Sequence, residues 1–143
     1  MDKRFWICGV VVGAAALLLG FLVHGLLLRG EYLAIAHLYR SSAGASAQAG
    51  WIPVAYLLLG LAMTWLYRRM PATGSVELAR GLRFGFAIAL VSLVPWHLLA
   101  YVGQPLPASL VLKQVGLDLV AMLLLGMLLA WLQPHRVPLA DPP

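Results

Sequence analysis

FWICGVVVGAAALLLGFLVHGLLL, residues 5–28, is a run of apolar side chains that contains no charged residue. A helix of about 20 such residues is long enough to cross the hydrocarbon core of a bilayer. Three further apolar runs follow at 51–67, 84–102 and 109–132. The sequence therefore predicts an all-α fold, an integral membrane bundle of four transmembrane helices that span the lipid bilayer.

The composition of the chain agrees with a membrane protein. Of its 143 residues, 62% are hydrophobic and 10% are charged, and the mean hydropathy is +0.90. This mixture excludes an ordinary water-soluble domain, and the length allows one domain, 1–143, with a Pro-rich tail at 133–143. The net charge of +5 forms no basic stripe, so we predict no nucleic-acid partner and expect anionic lipid headgroups instead. Cys8 is the only cysteine, so no internal disulfide or Cys-based zinc site can form.

The distribution of Lys and Arg predicts the orientation, because cytoplasmic segments carry an excess of them. Placing both chain ends inside puts seven of these cations in the cytoplasm and three outside. The first set is Lys3, Arg4, Arg68, Arg69, Arg80, Arg83 and Arg136, and the second is Arg29, Arg40 and Lys113. The sequence thus predicts a multi-pass protein of the bacterial inner (cytoplasmic) membrane, N-in and C-in.

Two connecting segments lie at the predicted outer side. Residues 30–40 mix apolar and charged side chains, which fits either a short interfacial helix or a first transmembrane helix that protrudes from the membrane. Residues 41–50 (SSAGASAQAG) are small and of low complexity, so they are expected to form a loop.

Small residues, mostly glycines, recur at helical spacing on three of the four predicted helices. Membrane helices approach each other closely through small residues, because lipid provides no hydrophobic drive for association. Spacings of three and four residues keep such positions on one stripe of a helix. We therefore predict helix-packing roles for Gly9, Gly13, Gly20, Gly81, Gly85 and Gly126.

Polar side chains gather near the predicted outer ends of the spans. An ionisable residue inside a span costs a few kcal/mol and is read by default as a functional site. Asp118 is the strongest candidate, and the predicted pocket comprises His24, Glu31, His97, Tyr101, Gln114 and Asp118. Structural alternatives remain for these residues. The histidines could be neutral groups that hydrogen-bond between helices, and the fourth helix could begin near Val115, which would leave Asp118 at the membrane interface.

Several functions are compatible with this pocket. Two histidines at similar depth could ligate haem as an axial pair. A His/Asp pair could bind a small ligand or relay protons. Ser92, His97 and Asp118 are weak catalytic candidates. No motif identifies a catalytic residue, a metal site or a cofactor. The leading prediction is a non-catalytic accessory or scaffold subunit whose small-residue faces dock a membrane protein partner or a second copy. Ligand binding or proton-linked transport is the second.

Three soft motifs carry a family resemblance. They are His24-Gly25 followed by Gly30-Glu31-Tyr32, the segment Gly81-Leu82-Arg83-Phe84-Gly85, and Gly116-Leu117-Asp118 followed by Gly126 and Trp131. With them, most of the chain resembles a family of small bacterial four-helix membrane proteins grouped as a domain of unknown function. The resemblance implies the fold and no activity.

Overall fold

The computed structural model describes residues 3–39, 42–71 and 77–133. The predicted tail beyond Gln133, together with Arg40 and Arg136, lies outside these residues. The regular elements of the described chain are helical: α1 (Lys3–Gly20), a π-helical turn (Phe21–Leu27), α2 (Arg29–Ala34), a 3₁₀ turn (Ala36–Leu38), α3 (Ser42–Gln48), α4 (Trp51–Arg68), α5 (Leu78–Val91), α6 (Leu93–Gly103) and α7 (Ala108–Leu132).

Four helical stretches are long and apolar enough to cross a membrane: Lys3–Leu27, Gly44–Arg68, Leu78–Gly103 and Ala108–Leu132. We call them the first to fourth spans. This result confirms the all-α class and the four apolar helices expected from hydropathy.

The segment expected to be a loop at 41–50 is instead mostly helical, because α3 covers Ser42–Gln48. Alanine, which recurs there at every second position, is the strongest helix former, and that propensity outweighs the small size of the side chains.

The first and third spans are both interrupted near the same end of the bundle. In the first, the amide of Leu28 donates to the carbonyl of Val23 at 2.9 Å, the five-residue spacing of a π-helix. In the third, α5 ends at Val91 and α6 starts at Leu93, with Ser92 at φ −114° and ψ −72° between them. The break lies three residues before Pro95, whose ring cannot donate to the carbonyl of Val91. His24 lies within the π-helical turn, and His97 follows Ser92 by five residues.

Helix α2 is a separate short helix rather than a continuation of the first span. Leu28, at φ −96° and ψ 7°, breaks the axis between them. The side chains of Leu28 and Ile35 are buried against Leu110 and Val111, near the start of α7. This packing holds both ends of α2 against α7.

The first two spans are joined through glycines. A Cβ added at Gly60 would overlap the backbone of Gly9 and Gly13, and one added at Gly13 would lie 2.9 Å from the carbonyl oxygen of Tyr56. Gly20 faces the Tyr56 hydroxyl. The helices α1 and α4 therefore touch backbone to backbone.

The third and fourth spans meet in the same manner. A Cβ at Gly81 would overlap the carbonyl oxygen of Gly126, one at Gly126 would overlap the carbonyl oxygen of Gly81, and one at Gly85 would overlap that of Met122. The glycines predicted to pack helices thus lie at contacts between helices of the same chain.

The core has two apolar layers. One, around Val12, Met63, Tyr67, Phe84 and Leu129, fills the end of the bundle where α1 and α5 begin, which we call the N-terminal end. The other, around Val23, Ile35 and Leu110, fills the opposite end, which we call the cavity end. Many large apolar side chains remain exposed around the outside, including Ile7, Leu18, Leu58, Val91, Val102 and Leu112. A surface this apolar is typical of helices that face lipid.

Candidate functional site

Asp118 lies inside the bundle. Because α7 begins at Ala108, Asp118 is almost three turns into the helix, and its residue is only 6% exposed. The interpretation that the fourth helix starts near Val115 and leaves Asp118 at its end is therefore wrong.

Two histidines from different spans share the Asp118 carboxylate. The Nε2 atom of His24, in the π-helical turn, is 3.1 Å from Oδ1, and the Nε2 atom of His97, on α6, is 2.6 Å from Oδ2. A carboxylate only accepts hydrogen bonds, so each imidazole must donate its Nε2 proton to the oxygen it faces. Each carboxylate oxygen thus has a donor, which stabilises the charged form in a buried position.

Tyr32 and Gln114 extend this network on one side. The Gln114 side-chain amide donates to the Tyr32 hydroxyl oxygen at 2.7 Å, and that hydroxyl is 2.8 Å from Nδ1 of His24. Burial raises the pKa of the Tyr32 phenol above its ordinary value, so the hydroxyl keeps its proton and donates it to Nδ1. His24 is then the Nε2–H tautomer, which is the form that donates to Asp118.

A cavity of about 490 Å³ opens beside these groups. It lies between α6 and the chain around α2, with α7 behind it. The lining residues are His24, Tyr32, Tyr39, Leu93, Trp96, His97, Ala100, Gln104, Leu106, Gln114 and Asp118. Its volume is within the range of small-molecule sites, and its walls combine apolar and aromatic side chains with a few convergent polar groups.

A smaller cavity of about 80 Å³ lies on the other side of the cluster. It shares His24, Leu93 and Asp118 with the large cavity and is otherwise lined by the Tyr56 side chain and apolar residues. It is large enough to hold water. Asp118 therefore separates a large cavity from a small one deeper in the bundle.

The structure brings together four of the six predicted pocket residues: His24, His97, Gln114 and Asp118. Glu31 instead forms a partly exposed ion pair with Lys113. Glu31 precedes Tyr32 in the sequence, and Lys113 precedes Gln114. Tyr101 is 45% exposed and does not line the cavity.

Sequence reasoning missed Tyr32 and Tyr39 as pocket residues. Tyr32 appears in the sequence as part of a soft motif, eight residues after His24, and an unbroken helix would place it far above the cluster. The turn at Leu28 folds α2 back and allows the contact. The sequence allowed a separate short helix at 30–40 but did not show that it would return toward His24.

The geometry also bears on the alternative chemistries. An axial pair of histidines would have to turn both Nε2 atoms toward one iron, whereas here both face the Asp118 carboxylate. The Ser92 hydroxyl donates to the carbonyl of Ile88 at 2.6 Å and not to His97. Among the residues that the structure describes, no group of three or more His, Cys, Asp or Glu is arranged to hold a metal ion.

No protein-family model, no curated protein and no solved structure matches this chain. The family resemblance remains a prediction.

Proposed function

We propose that the chain spans the bacterial cytoplasmic membrane four times, with its N-terminal end in the cytoplasm and its cavity end outside. The four apolar helices and the exposed apolar side chains around them support insertion. The described Lys and Arg residues support the orientation. Six lie at the N-terminal end (Lys3, Arg4, Arg68, Arg69, Arg80 and Arg83) and two at the cavity end (Arg29 and Lys113).

Cysteine labelling tests this orientation. In a Cys8→Ser background, a cysteine at exposed Gln104 should react with a membrane-impermeant maleimide in intact spheroplasts. A cysteine at exposed Glu77 should react only after the membrane is permeabilised. Labelling of the Glu77 position in intact spheroplasts would contradict the proposed orientation.

For function, we propose that the protein binds a small ligand in the large cavity at the His24–Asp118–His97 cluster. The observation that carries the proposal is the buried Asp118 carboxylate, held by donors from two other elements at the wall of an open cavity. A carboxylate at this depth costs a few kcal/mol relative to an apolar side chain. Packing alone gives no reason to keep it there.

The same geometry favours binding over proton-linked transport. Between the cluster and the N-terminal end, the core is filled by side chains such as Met63, Tyr67 and Leu125. The buried Thr64 hydroxyl donates to the Gly60 carbonyl of its own helix at 2.8 Å. In the described part of the bundle, no row of polar groups leads from Asp118 through this layer. A binding site therefore fits the described core better than a continuous polar path across the bundle.

The accessory-subunit function remains a prediction with less support. It was inferred from glycine faces that were expected to dock a partner or a second copy. Those glycines lie between helices of the same chain, at the α1–α4 and α5–α7 contacts, so they are not available to another protein.

Filling the cavity tests the proposed binding function. Ala100 lines the cavity, while its neighbour Leu99 is 68% exposed on the outside of α6. Native mass spectrometry of the protein in mild detergent should detect a small molecule bound to the wild type and to Leu99→Trp. The same molecule should be lost from Ala100→Trp. An Ala100→Trp protein that keeps this molecule, or a wild type that retains none, would contradict ligand binding in the cavity.

A further inference from the structure

We infer that the ligand of the large cavity is an organic cation with an aromatic or apolar body. The inference deepens the proposed binding function and rests on it. It follows from the balance of charge at the cavity wall, from the aromatic rings around it, and from the acceptor positions left on Asp118.

Among the residues that the structure describes, the cavity wall carries one acidic side chain and no Lys or Arg. Of the lining residues, Asp118 is the acidic one, and the two histidines act toward it as N–H donors. The Glu31–Lys113 ion pair is neutral overall, and neither residue lines the cavity. Arg29 lines an adjoining cavity, which shares His24, Tyr32 and Tyr39 with the large one. A ligand in the large cavity therefore faces the Asp118 carboxylate and no described Lys or Arg side chain.

The Asp118 carboxylate can still accept from a ligand. Two carboxylate oxygens offer about four lone-pair positions, and the two imidazoles use one on each oxygen. An ammonium N–H can bind at a remaining position, and a quaternary cation can bind by charge alone. An anion would be repelled by a carboxylate that the histidines keep charged, at a depth where water screens little.

Three aromatic side chains line the same cavity: Tyr32, Tyr39 and Trp96. The faces of aromatic rings attract cations, and tryptophan does so most strongly. Leu93, Ala100 and Leu106 complete the wall with apolar surface suited to the hydrocarbon part of a ligand. Charge, aromatic rings and apolar surface together fit a bulky organic cation better than a sugar, an anion or an inorganic ion.

Two ions of the same shape and opposite charge provide the test. Tetraphenylphosphonium and tetraphenylborate each carry four phenyl groups around a central atom, so they differ in the sign of the charge. Equilibrium dialysis against the full chain in detergent should show saturable binding of the phosphonium ion, with the Ala100→Trp protein as the background for partition into micelles. The borate ion should show no saturable binding.

Replacing Asp118 by the isosteric Asn should weaken phosphonium binding by about tenfold or more, because the charge is removed and the shape is kept. A second pair of variants avoids the buried network. Trp96 and Trp131 are both 67% exposed, but Trp96 alone of the two lines the cavity. Trp96→Leu should weaken binding about threefold, whereas Trp131→Leu should leave it unchanged.

Equal binding of the two ions, or phosphonium binding that neither Asp118→Asn nor Trp96→Leu weakens, would overturn the cation inference. Absence of saturable phosphonium binding would overturn it as well. The proposed function is decided separately, by the molecule that the wild type retains and the Ala100→Trp protein loses. A neutral or anionic molecule identified in that experiment would leave ligand binding standing and refute the cation class.

Discussion

Gly126→Leu is expected to separate the third and fourth spans and to destabilise the protein by about 3 kcal/mol or more. A Cβ at this position would overlap the carbonyl oxygen of Gly81 and would lie 2.9 Å from the amide nitrogen of Gly85. Both obstacles are backbone atoms of α5, so no side chain can rotate away to relieve the overlap. The α5 and α7 axes would have to move apart, and the contacts along their shared face would be lost. Thermal unfolding in detergent, followed by circular dichroism, measures the effect.

Gly116→Leu is the matched control on the same helix. A Cβ at Gly116 meets no atom within 4 Å, so this substitution should change stability by less than about 1 kcal/mol. Gly126→Ala should already cause much of the loss seen with Leu, because the overlap begins at the first side-chain carbon. Leucine is a better helix former than glycine, so helix propensity alone would stabilise both variants. Equal losses for Gly116→Leu and Gly126→Leu would contradict the close approach of α5 as the cause.

The glycine contacts show what the sequence could predict about packing. Spacings of four residues indicated the faces of α1 and α5, since that spacing keeps Gly9 with Gly13 and Gly81 with Gly85 on one side of a helix. Gly60 was missed because it is the single glycine in α4 and forms no such pair. Which helix faces which other helix is a long-range property. Hydropathy and spacing, read within one helix, carry no information about it.

For the polar cluster, the sequence predicted the depth of the residues but not the direction of every side chain. Depth along each span placed His24, His97 and Asp118 near one another, and this needed only helix lengths and a topology. Tyr101 was expected beside His97 at a spacing of four residues. The side of α6 that lines the cavity instead runs through His97, Ala100 and Gln104, and leaves Tyr101 on its outer edge. The irregular turns at Leu28 and Ser92 set these directions, and helical periodicity does not contain them.

The second large effect is expected from the His97–Asp118 contact. His97→Leu removes the donor to Oδ2 of Asp118 and leaves a charged, buried carboxylate with one imidazole, His24. Removing one partner of a buried pair costs about 3–5 kcal/mol, because the remaining charge is left uncompensated. The double variant His97→Leu/Asp118→Leu removes that charge and should be more stable than His97→Leu by about 2 kcal/mol. Free energies of unfolding in detergent for the wild type, both single variants and the double variant give the coupling.

The Glu31–Lys113 pair at the same end is the control cycle. Their side chains are 33% and 53% exposed, so water screens the ion pair, and its coupling should be below about 1 kcal/mol. If the His97–Asp118 coupling is no larger than this, burial does not determine the energetics of the cluster. The His97→Leu/Asp118→Leu protein should also fail to bind tetraphenylphosphonium although part of the lost stability is recovered. This result would separate the role of Asp118 in stability from its role in ligand binding. If Asp118 served packing alone, replacing it and His97 by leucine would leave binding unchanged.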